Sequence, residues 1–236
     1  NKTQKMIEKK VFVKNLEVSY IMIGQGRPFL ILHGWGSNSG RWQTVGEILA
    51  NNNLKVIIPD FPGFGKSQEM KEPWGLNNYV DWLKELILKI PELNDGFYLM
   101  GHSFGGAVSA KFAIRYNQKI KKLFLISTAA IRKKTIKKQV LGRISKLFKI
   151  FSFLPFYSLA KKSFYKYVVG ADDYLKTRGV MKDSFLKVIS EDLSNYLSFI
   201  RVPTVIIWGD KDEATLVEDS YFINKKIENS KLIIIQ

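Results

Sequence analysis

The sequence predicts an α/β protein with a mostly parallel central sheet, flanked by helices and interrupted by a helical insertion. Three observations predict this class. Short apolar runs alternate with amphipathic stretches along most of the 236 residues, as in strands joined by helical crossovers. A glycine-rich turn separates one such strand from the helix that follows it. A basic, aromatic interval then breaks the alternation from residue 130 to residue 201.

The predicted strands follow from two patterns. The first two alternate β-branched or aromatic residues with polar ones and form a hairpin, whereas the later ones are short apolar runs typical of buried parallel strands. Turn residues from Gly24 to Pro28 separate the hairpin from the first buried strand. In chain order the predicted strands are Lys9–Asn15, Leu16–Ile23, Phe29–Leu32, Lys55–Ile58, Phe97–Met100, Lys122–Ser127, Thr204–Trp208 and Lys231–Ile235.

Four helices are predicted between these strands. Leu76–Ile90 carries apolar residues at helical spacing, and Pro91 ends it. The other predicted helices are Arg41–Asn51, the segment from the glycine-rich turn to about Tyr116, and Ala214–Ile227.

The interval from residue 130 to residue 201 divides the predicted core. It is rich in Lys, Phe and Tyr without a clear strand, so we expect a helical cap between core segments 1–129 and 202–236. Between Ile131 and Arg201 there are 16 basic and 5 acidic residues, which account for most of the net charge of +16. Because no nucleic-acid-binding motif accompanies this charge, we expect no nucleic-acid partner. Peripheral contact with anionic membrane, or an acidic substrate, explains the charge better.

Composition excludes several kinds of chemistry. The chain has no cysteine, which excludes disulfides, thiolate metal sites and a cysteine nucleophile and is compatible with a reducing compartment. The first ten residues are polar and charged, unlike a signal peptide. The apolar stretch Ile150–Ala160 is too short to span a bilayer and contains Pro155. We therefore expect a soluble, cytoplasmic protein.

The strongest chemical signal is Gly101-His102-Ser103-Phe104-Gly105, which fits the pattern Gly-x-Ser-x-Gly. It lies between a predicted strand and a predicted helix, the context in which this motif forms a sharp turn with a strained, exposed serine. Glycines flank the serine because neighbouring backbone passes too close for side chains. Ser103 is therefore the candidate nucleophile. The alternative is a glycine-rich turn without chemistry.

A second signal, His33-Gly34-Trp35-Gly36, follows the first buried strand. A serine that attacks a carbonyl creates an oxyanion, which needs two preorganised hydrogen-bond donors. We expect the backbone N–H groups of Trp35 and Phe104 to supply them, the latter from the start of a helix. For the His33 side chain we expect a structural role in ordering the loop.

Four motifs in this order resemble the α/β-hydrolase superfamily: HGWG at 33–36, DFPGFGKS at 60–67, GHSFGG at 101–106 and WGDKD at 208–212. The resemblance runs over nearly the whole chain. It implies an eight-stranded, mostly parallel sheet, a nucleophile elbow after the fifth strand and a helical cap after the sixth. The loop that begins at Asp60 looks like the family's structural turn, so we give Asp60 no catalytic role.

The resemblance also places a triad acid after the strand that follows the cap, where Asp210 and Asp212 compete. The similar motif in relatives carries the acid three residues after the glycine, which selects Asp212 and leaves Asp210 as a turn residue. The acid would fix the tautomer of a histidine and stabilise its charged form.

The triad histidine is where the pattern fails, because this family places it after the last strand. The chain contains only His33 and His102, and neither lies at the position that the family uses for the base. We expect His102 to point away from Ser103, because neighbours on such a turn diverge. Two explanations stand. Either the protein continues beyond Gln236 with a final helix that shields the last strands from water, which we favour, or it lacks the base and is not an ordinary triad hydrolase.

The motifs together favour a serine hydrolase that needs no cofactor or metal and acts on a small or medium hydrophobic carboxylic ester. From Lys146 to Tyr167, aromatic residues are interspersed with lysines, which fits amphipathic helices packed on the core, an aromatic tunnel or a lid that contacts membrane. One alternative function is a carbon–carbon bond hydrolase or thioesterase of the same fold. The other is a binding protein that keeps the pocket and lacks the base. No pattern predicts the oligomeric state.

Overall fold

A computed structural model describes residues 5–132 and 178–236. The strands are β1 (Met6–Val13), β2 (Leu16–Ile23), β3 (Arg27–Leu32), β4 (Leu54–Pro59), β5 (Phe97–His102), β6 (Ile120–Ile126), β7 (Thr204–Gly209) and β8 (Ser230–Ile235). The helices are α1 (Gln43–Ala50), α2 (Leu76–Lys89), α3 (Phe104–Arg115), α4 (Gly179–Ser190) and α5 (Val217–Lys226). Single 3₁₀ turns lie at Ser39–Trp42, Pro91–Leu93 and Leu197–Phe199.

The eight strands form one sheet in the spatial order β1-β2-β4-β3-β5-β6-β7-β8. Strands β1 and β2 form an antiparallel hairpin, β2 pairs antiparallel with β4, and every later pair is parallel. The predicted mostly parallel sheet flanked by helices is therefore confirmed. Because parallel strands end at the same edge, the residues that follow β3, β5, β6 and β7 lie along one edge of the sheet.

The core divides into two clusters, one on each face of the sheet. On one face, strand residues such as Leu99 and Leu125 pack with the buried sides of α2, α3 and α5. On the other, Ile31 and Met100 pack with Ala50 of α1. Alternate residues of one strand enter opposite clusters because side chains alternate across a sheet. The central strands are buried on both faces, which explains why they are continuous apolar runs in the sequence.

On the face of the sheet that carries Ile31 and Met100, side chains become more exposed towards β8. Phe124 and Ile126 of β6 are half-buried, whereas Ile233 and Ile235 of β8 are 40% and 57% exposed. Apolar side chains of the last strand thus face solvent in the described part of the chain.

Two predicted boundaries shift where a turn competes with a regular element. β1 ends at Val13 because Lys14 and Asn15 adopt left-handed backbone angles, with φ of 48° and 60°, and form the hairpin turn. The helix predicted from residue 214 begins instead at Val217, because the N–H group of Thr215 donates to the side chain of Asp212. In both places a local turn replaces the periodic pattern.

The predicted cap lies mostly outside the described residues. Residues 130–132 and 178–201 contain α4 and the 3₁₀ turn at Leu197–Phe199, and no strand occurs among them. The alternation of aromatic residues and lysines between Lys146 and Tyr167 falls outside the described residues. The expectation of peripheral contact with anionic membrane therefore stays a prediction.

Candidate active site

Ser103 occupies the sharp turn between β5 and α3. Its φ is 51° and its ψ is −113°, an uncommon conformation for a residue with a side chain. The turn is held by the backbone: the Ser103 N–H donates to the carbonyl oxygen of Ile126 at 3.0 Å, and the Ser103 carbonyl oxygen accepts from the N–H groups of Ala107 and Ala129, both at 3.1 Å. The strained backbone of Ser103 is thus fixed by its neighbours on both sides.

The glycines of the motif lie where neighbouring backbone leaves no space for a side chain. A Cβ atom on Gly105 would lie 2.3 Å from the carbonyl oxygen of Leu32, and one on Gly101 would lie 2.3 Å from the carbonyl oxygen of Gly105. Both separations are far below van der Waals contact. The close approach expected from the sequence is therefore present.

The loop after β3 is ordered by a buried histidine. The Nε2 atom of His33 accepts from the backbone N–H of Phe61 at 3.0 Å, so this nitrogen carries no proton. Nδ1 carries the proton and donates to the carbonyl oxygen of Gly34 at 2.8 Å. Burial lowers the pKa of His33 from 6.5 to about 4, which keeps the ring neutral. The predicted structural role of His33 agrees with these contacts.

Asp60 fills the turn next to this histidine. Its carboxylate is buried and accepts from the backbone N–H groups of Ser39, at 2.6 Å, and Lys66, at 2.8 Å. Gly65, with φ of 55°, lets the chain close around this carboxylate. Asp60 therefore has structural partners for both of its oxygens.

The loop that carries Trp35 packs against the start of α3, which carries Phe104. The Trp35 ring makes edge contacts with the rings of Phe64, Phe104 and Phe185, at centroid distances of 4.9, 5.2 and 5.2 Å. Within the described residues, no hydrogen bond uses the backbone N–H of Trp35. The N–H of Phe104 lies in the first turn of α3, where amides have no partner inside the helix.

Ser103 opens into a cavity of about 830 Å³ at the carboxyl edge of the sheet. Trp35, Phe64 and Met181 give this cavity an apolar wall. Arg41 and Arg178 add charged side chains to its lining. The cavity thus joins the serine, one candidate oxyanion donor and an apolar surface.

His102 lines the same cavity as Ser103. Its ring packs 5.5 Å from the Trp42 ring and lies so close to Gly34 that a Cβ there would be 2.9 Å from Nδ1. Burial lowers the pKa of His102, and the negative charge of Asp212 partly opposes this shift. No hydrogen bond among the described residues joins His102 to Ser103 or Asp212.

Asp212 lies in the turn after β7, on the same edge of the sheet. One carboxylate oxygen, Oδ1, accepts from the backbone N–H groups of Ala214 and Thr215, both at 2.9 Å, and Oδ2 accepts from the Thr215 hydroxyl at 2.9 Å. Partial burial would raise the pKa of Asp212, but hydrogen bonds from Ser127, Thr215 and Ala214 outweigh it and lower the pKa. Asp212 is therefore held as an anion.

The competing acid, Asp210, has a different environment. It is exposed, and its backbone N–H donates to the carbonyl oxygen of Ile235 at 2.9 Å, which continues the β7–β8 pairing. It lies nearer the end of the strand than Asp212. Its position fits the turn residue that we expect from the sequence.

Two polar residues around Asp212 escaped sequence reasoning. Ser127 follows β6, and its side chain helps to lower the pKa of Asp212, whereas the Thr215 hydroxyl donates directly to the Asp212 carboxylate. The spacing Asp-x-x-Thr before a helix is a local signal that could have identified Thr215. Ser127 lies 85 positions before Asp212, so only the pairing of β6 with β7 brings them together.

The described residues contain no cluster of histidine and acidic side chains that could hold a metal ion. Among the described helices, none combines the length and the apolarity that a membrane crossing requires.

A serine on a sharp strand-to-helix turn, set in an eight-stranded and mostly parallel sheet, defines a hydrolase of the α/β-hydrolase superfamily. Residues 27–235 match the family described as serine aminopeptidase, S33, and the chain belongs to this family.

Curated relatives extend over most of the chain. Lipase 3 of Moraxella sp. (strain TA144) is 26% identical, with 99% of this chain and 82% of the relative covered. Lipase 1 of Psychrobacter immobilis is 26% identical, with 100% and 82% covered. The pimeloyl-[acyl-carrier protein] methyl ester esterase of Wigglesworthia glossinidia brevipalpis is 29% identical, with 88% and 83% covered.

Solved structures share the fold at lower sequence identity. A serine hydrolase involved in carbazole degradation, the CarC enzyme, has a TM-score of 0.75 at 22% identity, with 98% of this chain and 90% of that chain covered. A membrane phospholipase A has a TM-score of 0.74 at 22% identity, with 98% and 78% covered.

Proposed function

We propose that this protein is a serine hydrolase that cleaves a small or medium hydrophobic carboxylic ester through an acyl-enzyme intermediate. One observation carries the proposal: Ser103 is held in a left-handed backbone conformation and lines the same cavity as Trp35, whose backbone N–H has no partner among the described residues. A serine fixed beside an available amide suits attack on a carbonyl carbon.

The proposed reaction has two halves. In the first, Ser103 Oγ bonds to the acyl carbon while its proton passes to a general base, and the ester oxygen leaves as an alcohol after accepting that proton. In the second, water attacks the acyl-enzyme and releases the carboxylic acid and the free serine. The N–H groups of Trp35 and Phe104 stabilise the oxyanion in both halves.

Asp212 is the proposed acid that orients the general base. A carboxylate held as an anion can fix the tautomer of a neighbouring imidazole and stabilise its charged form. His33 is excluded as that base because both of its ring nitrogens are already hydrogen-bonded. Because His102 has no hydrogen bond to Ser103 or Asp212 among the described residues, we assign the base to neither histidine.

The choice of an ester substrate rests on the relatives and on the cavity wall. Two relatives are named lipases and a third is named a methyl ester esterase. The apolar side chains of Trp35, Phe64 and Met181 suit a hydrophobic acyl or alcohol group better than a sugar. A panel of nitrophenyl esters of graded chain length would show which length this cavity accepts.

Labelling with a fluorophosphonate probe tests the nucleophile directly. We expect the wild-type protein to be labelled and the Ser103→Ala variant to remain unlabelled, because the probe reacts only with an activated serine. Ser190→Ala is the matched control, since this hydroxyl bonds to the Lys187 carbonyl on the surface of α4. Its labelling should equal that of the wild type. Labelling that persists in Ser103→Ala would contradict the proposal.

The same labelling experiment distinguishes the proposed hydrolase from a non-catalytic binding protein. A binding protein that keeps the cavity but lacks an activated serine would show no labelling in any variant, while hydrophobic ligands would still bind. Labelling that depends on Ser103 excludes this alternative.

A further inference from the structure

Two arginine side chains line the cavity that contains Ser103. Arg41 lies in the 3₁₀ turn before α1, and Arg178 directly precedes α4. Among the described residues the lining contains these two arginines and no lysine, although arginine makes up only 7 of the 37 basic residues of the sequence. Glu69 is the one acidic residue that lines the cavity in the same part of the chain. The described wall therefore carries a net positive charge.

The guanidinium groups of Arg41 and Arg178 differ from the other arginines in having no protein partner. Within residues 5–132 and 178–236, neither group forms a hydrogen bond or an ion pair, whereas each of the other described arginines does. The partners are the Tyr98 hydroxyl for Arg27, Asp81 for Arg115, the Ile131 carbonyl for Arg132 and Glu228 for Arg201. The two arginines at the cavity are thus available to a ligand.

The turn that carries Arg41 is fixed to the core through its backbone. The Arg41 N–H donates to the side-chain oxygen of Asn38 at 3.2 Å. The neighbouring Ser39 N–H donates to the buried Asp60 carboxylate at 2.6 Å. The Arg41 side chain itself is exposed. A rigid turn therefore presents a free guanidinium group at the cavity.

The start of α4, which carries Arg178, is also held in place. Met181 lies so close to Gly63 that a Cβ atom there would be 2.3 Å from the Met181 sulfur. One turn further along α4, the Phe185 ring packs 5.2 Å from the Trp35 ring. These contacts fix the start of the helix, and with it Arg178, beside the loops that line the cavity.

Arginine is suited to one class of ligand. Its planar guanidinium group can donate two parallel hydrogen bonds to a carboxylate or a phosphate, and it stays charged at every physiological pH. Trp35, Phe64 and Met181 form an apolar wall in the same cavity. A ligand that combines a hydrocarbon chain with an anionic group would match both features of the lining.

We propose that the ester cleaved by this protein carries a second, anionic group, a carboxylate or a phosphate, which Arg41 and Arg178 bind. The inference rests on the proposed function, because it assigns a substrate class to the same cavity. The two arginines determine specificity in this scheme and take no part in bond cleavage.

Matched pairs of substrates test the proposal. One series consists of 4-nitrophenyl monoesters of linear dicarboxylic acids of graded length, and the control series has the free carboxylate methylated. We expect kcat/KM of the wild type, followed by nitrophenolate release, to be about tenfold higher for the anionic ester at the best length. A third series carries a phosphonate in place of the carboxylate. A preference for either anion supports the proposal, and no preference for either at any length overturns it.

Variants of the two arginines show whether they cause this preference. Arg41→Gln and Arg178→Gln should each reduce the ratio of kcat/KM between anionic and methylated ester, and the double variant should bring it close to one. Because both side chains are exposed, Tm should stay near that of the wild type. Arg201→Gln is the matched control, since Arg201 pairs with Glu228 outside the cavity lining, and it should keep the wild-type ratio. A ratio undiminished in the double variant, or lowered equally by Arg201→Gln, overturns the proposal.

Calorimetry with the Ser103→Ala variant separates this inference from the proposed function. The variant lacks the nucleophile, so the ester should bind without forming an acyl-enzyme. We expect it to bind the anionic ester about tenfold more tightly than the methylated one, and the two arginine substitutions should remove this difference. Equal binding of the two esters, or no measurable binding of either, overturns the inference. If the wild type hydrolyses neither ester while Ser103→Ala still prefers the anionic one, the proposed function fails instead.

Discussion

The turn at Ser103 and the turn at Asp212 lie on the same edge of the sheet, but different forces hold them. The Ser103 turn is fixed by backbone hydrogen bonds and by glycines packed against neighbouring backbone. The Asp212 turn is partly exposed and is fixed by hydrogen bonds to its own carboxylate. The first turn is therefore sensitive to added volume, whereas the second is sensitive to loss of a polar group.

Because of this difference, we expect different kinds of substitution to disrupt the Ser103 turn and the Asp212 turn. In the Ser103 turn, even one extra carbon atom meets backbone that cannot move aside. In the Asp212 turn there is space, and what matters is that the carboxylate stays charged and correctly oriented. We therefore expect added volume to destabilise the Ser103 turn, and loss of charge or of a hydrogen bond to impair the Asp212 turn.

The largest effect is expected from Asp212→Asn. The variant keeps the shape of the turn but removes the charge, and we expect kcat to fall by about 10⁴-fold, as when a triad acid is replaced by its amide. Asp210→Asn is the matched control, since Asp210 is exposed and uses its backbone to pair with β8. Steady-state kinetics on one nitrophenyl ester compares them. If Asp210→Asn has the larger loss, the acid has been assigned to the wrong residue.

The second prediction concerns pH and the loop that supports the Ser103 turn. Because burial lowers the pKa of His33 from 6.5 to about 4, the unfolded chain binds this proton more readily than the folded protein. The contribution of His33 to stability is complete above pH 6.5 and declines as the pH falls towards 4. Between pH 6.5 and pH 4, the His33 contribution to the free energy of unfolding should fall by about 3 kcal/mol.

Urea unfolding at several pH values measures this contribution. The His33→Gln variant should show a shallower loss of unfolding free energy between pH 6.5 and pH 4 than the wild type. The lowered pKa of Asp212 places its own contribution at pH values below 3.8, outside this window. Parallel curves for the two proteins would mean that His33 is not kept neutral by the fold.

A third, smaller effect should separate the two turns by volume. Gly105→Ala should destabilise the protein by about 2 kcal/mol, because its Cβ would lie 2.3 Å from the Leu32 carbonyl oxygen. Gly209→Ala, just before the Asp212 turn, should change stability little, since among the described residues no atom beyond its two chain neighbours lies within 4 Å of the added carbon. Thermal unfolding of both variants gives the comparison. Equal losses would contradict the view that only the Ser103 turn is closely packed.

The sequence was sufficient to predict the Ser103 turn because its requirements are local. Gly101 and Gly105 indicate that neighbouring backbone passes too close for a side chain. The strand before Ser103 and the helix after it are recognisable from their hydrophobic patterns. The surroundings of Asp212 were predicted less completely. The contact with Ser127 depends on which residues of β6 and β7 face each other, and hydrophobic patterning does not fix that register between distant segments.

The positions of the two histidines illustrate the same limit. The structural role of His33 followed from its place in a loop motif, and the contacts to Gly34 and Phe61 agree with it. For His102 we expected only a direction away from Ser103, whereas both residues line one cavity. Its position depends on packing against Trp42 and Gly34, which come from another loop of the fold.

The most direct test of the proposed site is a crystal structure of the protein after reaction with a fluorophosphonate. We predict phosphorus bonded to Ser103 Oγ, with its phosphoryl oxygen about 3 Å from the backbone nitrogens of both Trp35 and Phe104. Phosphorus bonded to another residue, or a phosphoryl oxygen directed away from these two amides, would rule out the proposed site.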